Sequence, residues 1–188
     1  MSTAAARPVY QLKVTIKHVR PPIWRRLQVS GGASLAELHD VLQIAFGWTD
    51  THLHQFVIGG AYYGVPDPDE VDWPPLQDER RMRLGDIAAT TKSFVYAYDF
   101  GDGWEHSIVV EKTLEPEPGV AYPRCLAGRR NGPPEDCGGP WGYMELLQAL
   151  ADPTHPEHAE MREWLGGELD PDALDLGEVN ALLRPDKR

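Results

Sequence analysis

Cysteine is scarce in this chain, which has only Cys125 and Cys137 among 188 residues. So few cysteines do not provide the disulfide framework of a small secreted domain, and they favour a reducing compartment. No stretch approaches the apolar run of about 20 residues that spans a bilayer, and residues 1–8 lack the apolar core of a secretory signal. We therefore expect a cytoplasmic protein without a membrane partner.

Positive charge is also scarce, since 18 Lys and Arg stand against 29 Asp and Glu, giving a net charge of −11. A surface of this sign repels phosphate backbones on average, which disfavours direct nucleic-acid binding. The short arginine clusters around Arg25, Arg80 and Arg129 are flanked by acidic residues or proline. We interpret all three as solvated surface.

The residues that are present predict a folded domain of the α+β class. A hydrophobic fraction of 41% and six tryptophans are enough for a core. Apolar residues alternate over 10–16 and 23–29, which predicts an N-terminal hairpin. Ser34 and Glu37 form a capping box for a helix that ends at Gly47. Further strands are predicted over 51–58, 61–63, 94–98 and 106–110, and helices over 143–150, from 156 and from 175.

These elements predict a hairpin plus helix packed on a mixed sheet, followed by C-terminal helices. A β-grasp-like core is compatible with this order by analogy. We expect residues 1–9 to be a disordered or loose N-terminus and residues 10–188 to be a single domain. Residues 64–83 are rich in proline and acidic residues and are predicted to be a surface loop, and 122–142 an ordered but irregular segment.

Two dense stretches carry most of the side-chain chemistry. Residues 98–106 connect two predicted strands, and residues 133–143 precede a predicted helix. If the protein has a site, we expect it where these two segments meet. The expected surface for a ligand or partner comprises Asp99, Asp102, Trp104, Glu105, His106, Arg124, Glu135, Asp136 and Trp141.

Three interpretations of the first stretch remain open. Asp102-Gly103 is a common hairpin turn, which alone explains part of the pattern. The carboxylates also suit a polar ligand or a divalent metal, and His106 suits Zn²⁺ or Mn²⁺. The candidate metal ligands are Asp102, Glu105, His106, Cys125, Cys137, His52 and His54.

The cysteines and the two histidines have alternatives of their own. Cys125 and Cys137 are consistent with buried thiols, with half of a zinc site, or with a redox pair. A nucleophilic Cys137 beside His106 is a further alternative. His52 and His54 share one face of a predicted strand, where they suit either metal binding or an ordinary place at the surface or in the core.

Several segments together resemble the plasmid Ri ORF-three-like family, which occurs in bacteria and archaea on plasmids, mobile elements and chromosomes. The resemblance covers residues 10–183. It implies a single α+β domain without an established biochemical role, and it supplies no catalytic residues. Some members carry a resolvase label. The resolvase reaction needs a serine nucleophile set among arginines, and this sequence shows no such group. The matching segments are 10–14, 21–26, 35–48 with His52 and His54, 98–106, Arg124-Cys125 and 134–143.

Two functions follow from these patterns. The first is a binding or accessory domain that contacts a protein or a small polar ligand through residues 98–106 and 133–143. The alternative is a metal-dependent hydrolase or nuclease that uses the Asp, Glu and His side chains, with Glu135 or Asp136 assisting. The acidic net charge weighs against a nuclease.

Overall fold

The computed structural model describes residues 7–67 and 75–184, so residues 1–6 of the expected loose N-terminus lie outside the described residues. The predicted α+β class is confirmed, with helices at the C-terminal end. The strands are β1 (Val9–Ile16), β2 (Trp24–Ser30), β3 (His54–Ile58), β4 (Ala61–Gly64), β5 (Leu76–Asp78), β6 (Ser93–Tyr98), β7 (Trp104–Leu114) and β8 (Arg124–Arg129). The helices are α1 (Leu35–Phe46), α2 (Leu84–Thr90), α3 (Gly139–Ala151), α4 (His158–Leu165) and α5 (Leu176–Leu183).

The strands form one mixed sheet in the order β5-β4-β3-β6-β7-β1-β2-β8. β1 and β2 form the predicted hairpin, in register from Val9 opposite Ser30 to Thr15 opposite Trp24. The β4–β5 pair is parallel and the other pairs are antiparallel. The hairpin and the helix that follows it are the only part of the described structure that resembles a β-grasp core. The sheet formed by the described residues is larger, with eight strands.

Helix α1 forms as its caps predict. The Ser34 hydroxyl accepts the Glu37 amide proton, and the Glu37 carboxylate accepts the Ser34 amide proton. The helix ends at Gly47, whose φ of 78° is accessible to glycine without strain. Leu38 and Leu42 on the apolar stripe are fully buried in the main core, together with the inner side chains of β1. The helix thereby carries its C-terminal end, and the loop that follows, to one end of the sheet.

Arg25 is a buried cation that links α1 to the β8 end of the sheet. Its side chain is 1% exposed and lies over the Phe46 ring. Its Nε donates to the Ala45 carbonyl at 2.8 Å and its Nη1 to the Arg130 carbonyl at 2.9 Å. Desolvation by burial lowers its pKa to about 10. Arg25 is a charged residue on the otherwise apolar face of β2. It is accommodated there because it donates hydrogen bonds to backbone carbonyls near the ends of α1 and β8.

Two segments differ from the sequence prediction. Residues 122–142 contain β8 and the start of α3, where only irregular structure was expected. The segment 64–83 contains β5 and a 3-10 turn at Glu79–Arg81, while residues 68–74 lie outside the described part. Both extra strands lie at sheet edges, where backbone pairing with one neighbour needs no apolar alternation.

The outer edge of β8 is covered by a side chain from α5. The Cys125 amide donates to Asn180 Oδ1 at 2.8 Å, and Asn180 Nδ2 donates to the Cys125 carbonyl at 2.8 Å. One amide side chain thus completes the backbone hydrogen bonds of Cys125 on the side of β8 that faces away from β2.

Three loops meet at one end of the sheet. Tyr98, the last residue of β6, pairs with both His54 and Trp104, the first residues of β3 and β7. The Asp99 amide also donates to the Leu53 carbonyl at 2.9 Å, so the loop after α1 meets the loop between β6 and β7. The segment before α3 joins them through hydrogen bonds of Glu135 and Gly138. We call residues 48–53, 99–103 and 133–139 the loop junction.

Candidate functional site

Glu135 holds the loop junction together. Its Oε1 accepts hydrogen bonds from the Thr49 amide at 2.9 Å and the Tyr98 hydroxyl at 2.8 Å. Its Oε2 accepts from the hydroxyls of Thr49 at 3.1 Å and Thr51 at 2.7 Å. Burial opposes ionisation of Glu135, but the hydrogen bonds from Thr51, Thr49 and Tyr98 outweigh it and lower the pKa. Glu135 is therefore a charged acceptor that connects two loops.

Asp102 connects the β6–β7 loop to the segment before α3. Its Oδ2 accepts the Gly138 amide proton at 3.1 Å. A β-carbon on Gly139, whose φ is 69°, would collide with the backbone oxygen of Asp102. Only glycine permits this approach at that backbone conformation. The sequence prediction placed 98–106 and 133–143 side by side, and the structure has them in direct contact.

His52, Asp99 and Asp136 form a cluster on this junction. His52 Nε2 lies 3.6 Å from Asp99 Oδ2 and 3.1 Å from Asp136 Oδ1, and the three ligand atoms all lie within 4.8 Å of one another. The side chains of His52 and Asp99 are 26% and 10% exposed, whereas Asp136 is 70% exposed. The cluster therefore opens to solvent on the Asp136 side. One nitrogen and two carboxylate oxygens are donors that a divalent cation accepts.

Trp104 and His106 lie beneath the junction and not on it. They are 1% and 0% exposed and pack with Trp48. His106 Nδ1 donates to the Tyr96 carbonyl at 3.3 Å, while its Nε2 is buried without a hydrogen-bond partner. Burial lowers the pKa of His106 to about 3. The structure thus places both side chains, expected on a ligand surface, in the core.

Four other predicted site residues point elsewhere. Glu105 forms an ion pair with Lys17 at 2.9 Å, because alternation on β7 turns it away from buried His106. Arg124 binds Gln28 and Glu117 beside β8, and Cys125 is buried under α5. His54 lies in a separate buried network. The predicted mixed group of carboxylates, histidines and cysteines is therefore not assembled as one site.

The surroundings of both cysteines disfavour the thiolate form that nucleophilic and redox chemistry requires. Cys137 is half-buried, and burial, followed by the charge of Asp102, raises its pKa to about 12. Burial also raises the pKa of Cys125. A thiol protonated at neutral pH is a poor nucleophile, and among the described residues neither thiol shares a group of three possible metal ligands.

A second histidine cluster was not predicted as a unit. The rings of His39 and His54 stack with centroids 3.5 Å apart. His39 Nε2 bonds Asp50 at 2.9 Å, and His54 Nε2 bonds the buried Glu79 at 2.9 Å. Burial, and then the neighbouring His54, lower the pKa of His39. His39 falls on the α1 stripe at a core position, which is the only sequence signal for this network.

Large apolar side chains in the junction, and just after it in sequence, are exposed. Leu53, Phe100 and Trp141 are 73%, 53% and 77% exposed. An open pocket of about 170 Å³ next to the junction is lined by Asp136, Cys137, Gly142, Leu146, Met161 and Trp164. An acidic cluster and an apolar rim therefore lie next to each other.

The fold and this junction define a single-sheet α+β domain with a candidate binding surface made of loops. The chain belongs to the family described as Plasmid pRiA4b ORF-3-like protein, whose family model matches residues 8–178. The resemblance inferred from the sequence motifs is thereby confirmed. None of the helices in the described ranges is long and apolar enough to cross a membrane.

Two relatives extend this assignment without naming an activity. The chain is 46% identical over 175 residues to the uncharacterized protein y4hQ of Sinorhizobium fredii (strain NBRC 101917 / NGR234), covering 92% of this chain and 89% of that protein. It is also similar to the crystal structure of the protein of unknown function MM3350 from Methanosarcina mazei Go1. That match has a TM-score of 0.83 and 38% sequence identity, covering 91% of this chain and 97% of the other.

Proposed function

We propose that the protein is a binding domain whose loop junction contacts a partner protein or a small polar ligand. The observation that carries this proposal is the exposure of Leu53, Phe100 and Trp141, which neighbour in sequence the loops that hold the cluster of His52, Asp99 and Asp136. Exposed large apolar residues beside charged groups are typical of interaction sites. The clamp at Glu135 supports the proposal, because a pre-organised surface loses less entropy on binding than a mobile one.

Affinity capture with matched baits tests this proposal. Wild type, Trp141→Ala and Glu105→Ala are immobilised in buffer containing EDTA and exposed to a bacterial lysate, and bound proteins and metabolites are identified by mass spectrometry. Trp141 is 77% exposed and lies two residues beyond the junction in α3, whereas Glu105 is engaged in an ion pair with Lys17. A specific ligand should be lost from Trp141→Ala and retained by Glu105→Ala. Identical capture by all three baits would refute the proposal.

The second candidate is the metal-dependent hydrolase. The convergence of His52, Asp99 and Asp136 favours it, because an ion held by three protein groups keeps positions open for water and substrate. Hydrolysis of bis-(p-nitrophenyl) phosphate with added Mn²⁺ is the measurement. Activity that Asp136→Asn abolishes and Glu105→Ala retains would support this candidate, and equal rates for both variants would reject it.

A further inference from the structure

We infer that His52, Asp99 and Asp136 bind one divalent first-row metal ion of the Zn²⁺ or Mn²⁺ class. This inference rests on the proposed function, since it uses the same loop junction and names the chemistry of one ligand. Two of its three residues, Asp99 and Asp136, were not among the metal ligands expected from the sequence. Of those expected ligands only His52 is kept, while Asp102, Glu105, His106, His54, Cys125 and Cys137 are not part of the site. The closing measurements need no partner, so they can fail independently of the capture experiment.

The separations of the donor atoms fit a small cation. An ion about 2.1 Å from each ligand keeps adjacent ligands about 3.0 Å apart in an octahedron and about 3.4 Å apart in a tetrahedron. His52 Nε2 lies 3.1 Å from Asp136 Oδ1 and 3.6 Å from Asp99 Oδ2. All three donors lie within 4.8 Å of one another, so small side-chain adjustments bring them onto one ion.

The state of His52 Nε2 is an independent indication. This nitrogen has no solvent contact and makes no hydrogen bond, although two carboxylates face it. A buried polar nitrogen without a hydrogen bond is costly. A cation between the nitrogen and the oxygens removes this cost, because all three groups then donate electron pairs to it.

Asp99 is oriented for this role by its own loop. Its Oδ1 accepts the amide protons of Gly101 at 3.0 Å and Asp102 at 3.2 Å. Oδ2 is the oxygen that faces His52. Asp99 and Asp136 have φ angles of 54° and 57°, a conformation that aspartate tolerates better than most residues. Two sequence-distant loops therefore each present one carboxylate oxygen to the same imidazole.

The donor set selects the class of metal. Mg²⁺ and Ca²⁺ prefer oxygen ligands alone, whereas imidazole together with carboxylate suits Zn²⁺, Mn²⁺ and their neighbours. The cluster of His39, Asp50 and His54 does not compete for the ion. His39 uses both ring nitrogens, on Tyr96 at 2.8 Å and Asp50 at 2.9 Å, and His54 Nε2 is bonded to Glu79. That cluster is a satisfied structural network.

Calorimetric titration of the metal-free protein with ZnCl₂ and MnCl₂ tests the inference. The variants are His52→Gln, Asp99→Asn and Asp136→Asn. Asparagine keeps the αL backbone accessible and keeps the oxygen that caps the Asp99 loop, so these variants should fold. We expect one equivalent to bind wild type and each variant to bind at least about 10-fold more weakly. His18→Asn and Asp86→Asn, both at exposed positions, are the matched controls and should bind like wild type.

Thermal unfolding provides a second readout. A metal at about 100 times its Kd should raise the wild-type Tm by about 5–10 °C. The three ligand variants should show little of this shift, and the controls should show all of it. The inference is overturned if neither metal binds wild type, or if the ligand variants bind and shift like the controls. The latter result would mean that the ion is held by the acidic surface in general.

Discussion

His106 shows how the position of a single residue decides its chemistry. The stretch 98–106 predicted it as a surface group or metal ligand, yet it is fully buried among Phe46, Trp48 and Tyr96. Its imidazole stays neutral because the surrounding rings offer little to solvate a charge. A buried neutral histidine makes the stability of the protein depend on pH.

The first prediction concerns acid sensitivity. The pKa of His106 is about 3 in the folded protein, below its ordinary 6.5, so stability is fully present above pH 6.5 and is lost as the pH falls towards 3. His106→Leu should remove this contribution. Relative to pH 7, the variant should gain about 3 kcal/mol over wild type in free energy of unfolding at pH 4.

Urea unfolding at pH 7, 5.5 and 4 measures this difference, and His18→Asn serves as the exposed-histidine control. At pH 7 the leucine variant loses the hydrogen bond from His106 Nδ1 to the Tyr96 carbonyl, so the change in stability between pH 7 and pH 4, and not the value at pH 7, tests the prediction. Parallel pH profiles for wild type and His106→Leu would contradict the prediction.

The sequence contained part of this information at the residue scale. Alternation over 106–110 already placed His106 and Ile108 on one face, and it therefore placed Glu105 on the other. The sequence did not indicate which partners each charged side chain contacts. Asp99, His52 and Asp136 were all candidates, but their meeting depends on three loops that are distant along the chain.

At the scale of elements, glycine at the start of α3 determines how closely two loops approach. Gly139 is the first residue of the helix, and its α-carbon faces the backbone of Asp102. The adjacent Gly138 amide donates to the Asp102 side chain. The helix therefore begins against the β6–β7 loop, four residues before the position predicted from its apolar stripe.

The second prediction is that Gly139→Ala forces these two loops apart. The new β-carbon meets the Asp102 oxygen, and the φ of 69° disfavours alanine, so we expect a loss of at least about 2 kcal/mol in free energy of unfolding. Gly167→Ala is the matched control, because nothing lies within 4 Å of a β-carbon there. Chemical denaturation compares the two. Equal stability of both variants would show that the contact is not tight.

Elements with strong local signals were predicted well, and edge elements were not. The capping box of α1 and the alternation of β1, β6 and β7 each depend on residues that lie close together in the sequence. Strand β8 has no such alternation, since it is held by backbone pairing with β2 and by Asn180. Long-range backbone partners leave little trace in a local pattern.

At the scale of the whole molecule, the sheet has a covered edge at β8. Asn180 supplies both a donor and an acceptor to the Cys125 backbone. At this residue α5 therefore makes the hydrogen bonds that a further strand would make. The third prediction is that Asn180→Ala increases self-association, because an unpaired strand edge pairs with other edges.

Light scattering at rising protein concentration measures this effect. Leu182→Ser is the control, since Leu182 is 61% exposed on the same helix and makes no part of the cover on Cys125. Association that rises in Asn180→Ala but not in Leu182→Ser would support an edge effect. An unchanged scattering profile for Asn180→Ala would contradict it.

The Asn180 contact also has a consequence for protein quality control. A protease that removes α5 would uncover the β8 edge at Cys125 and would also open the core around Leu183, which is 5% exposed. The product would present an unpaired strand edge, which can pair with the strands of other copies. Cleavage before α5 is therefore expected to promote aggregation, because this helix carries the side chain that covers β8 at Cys125.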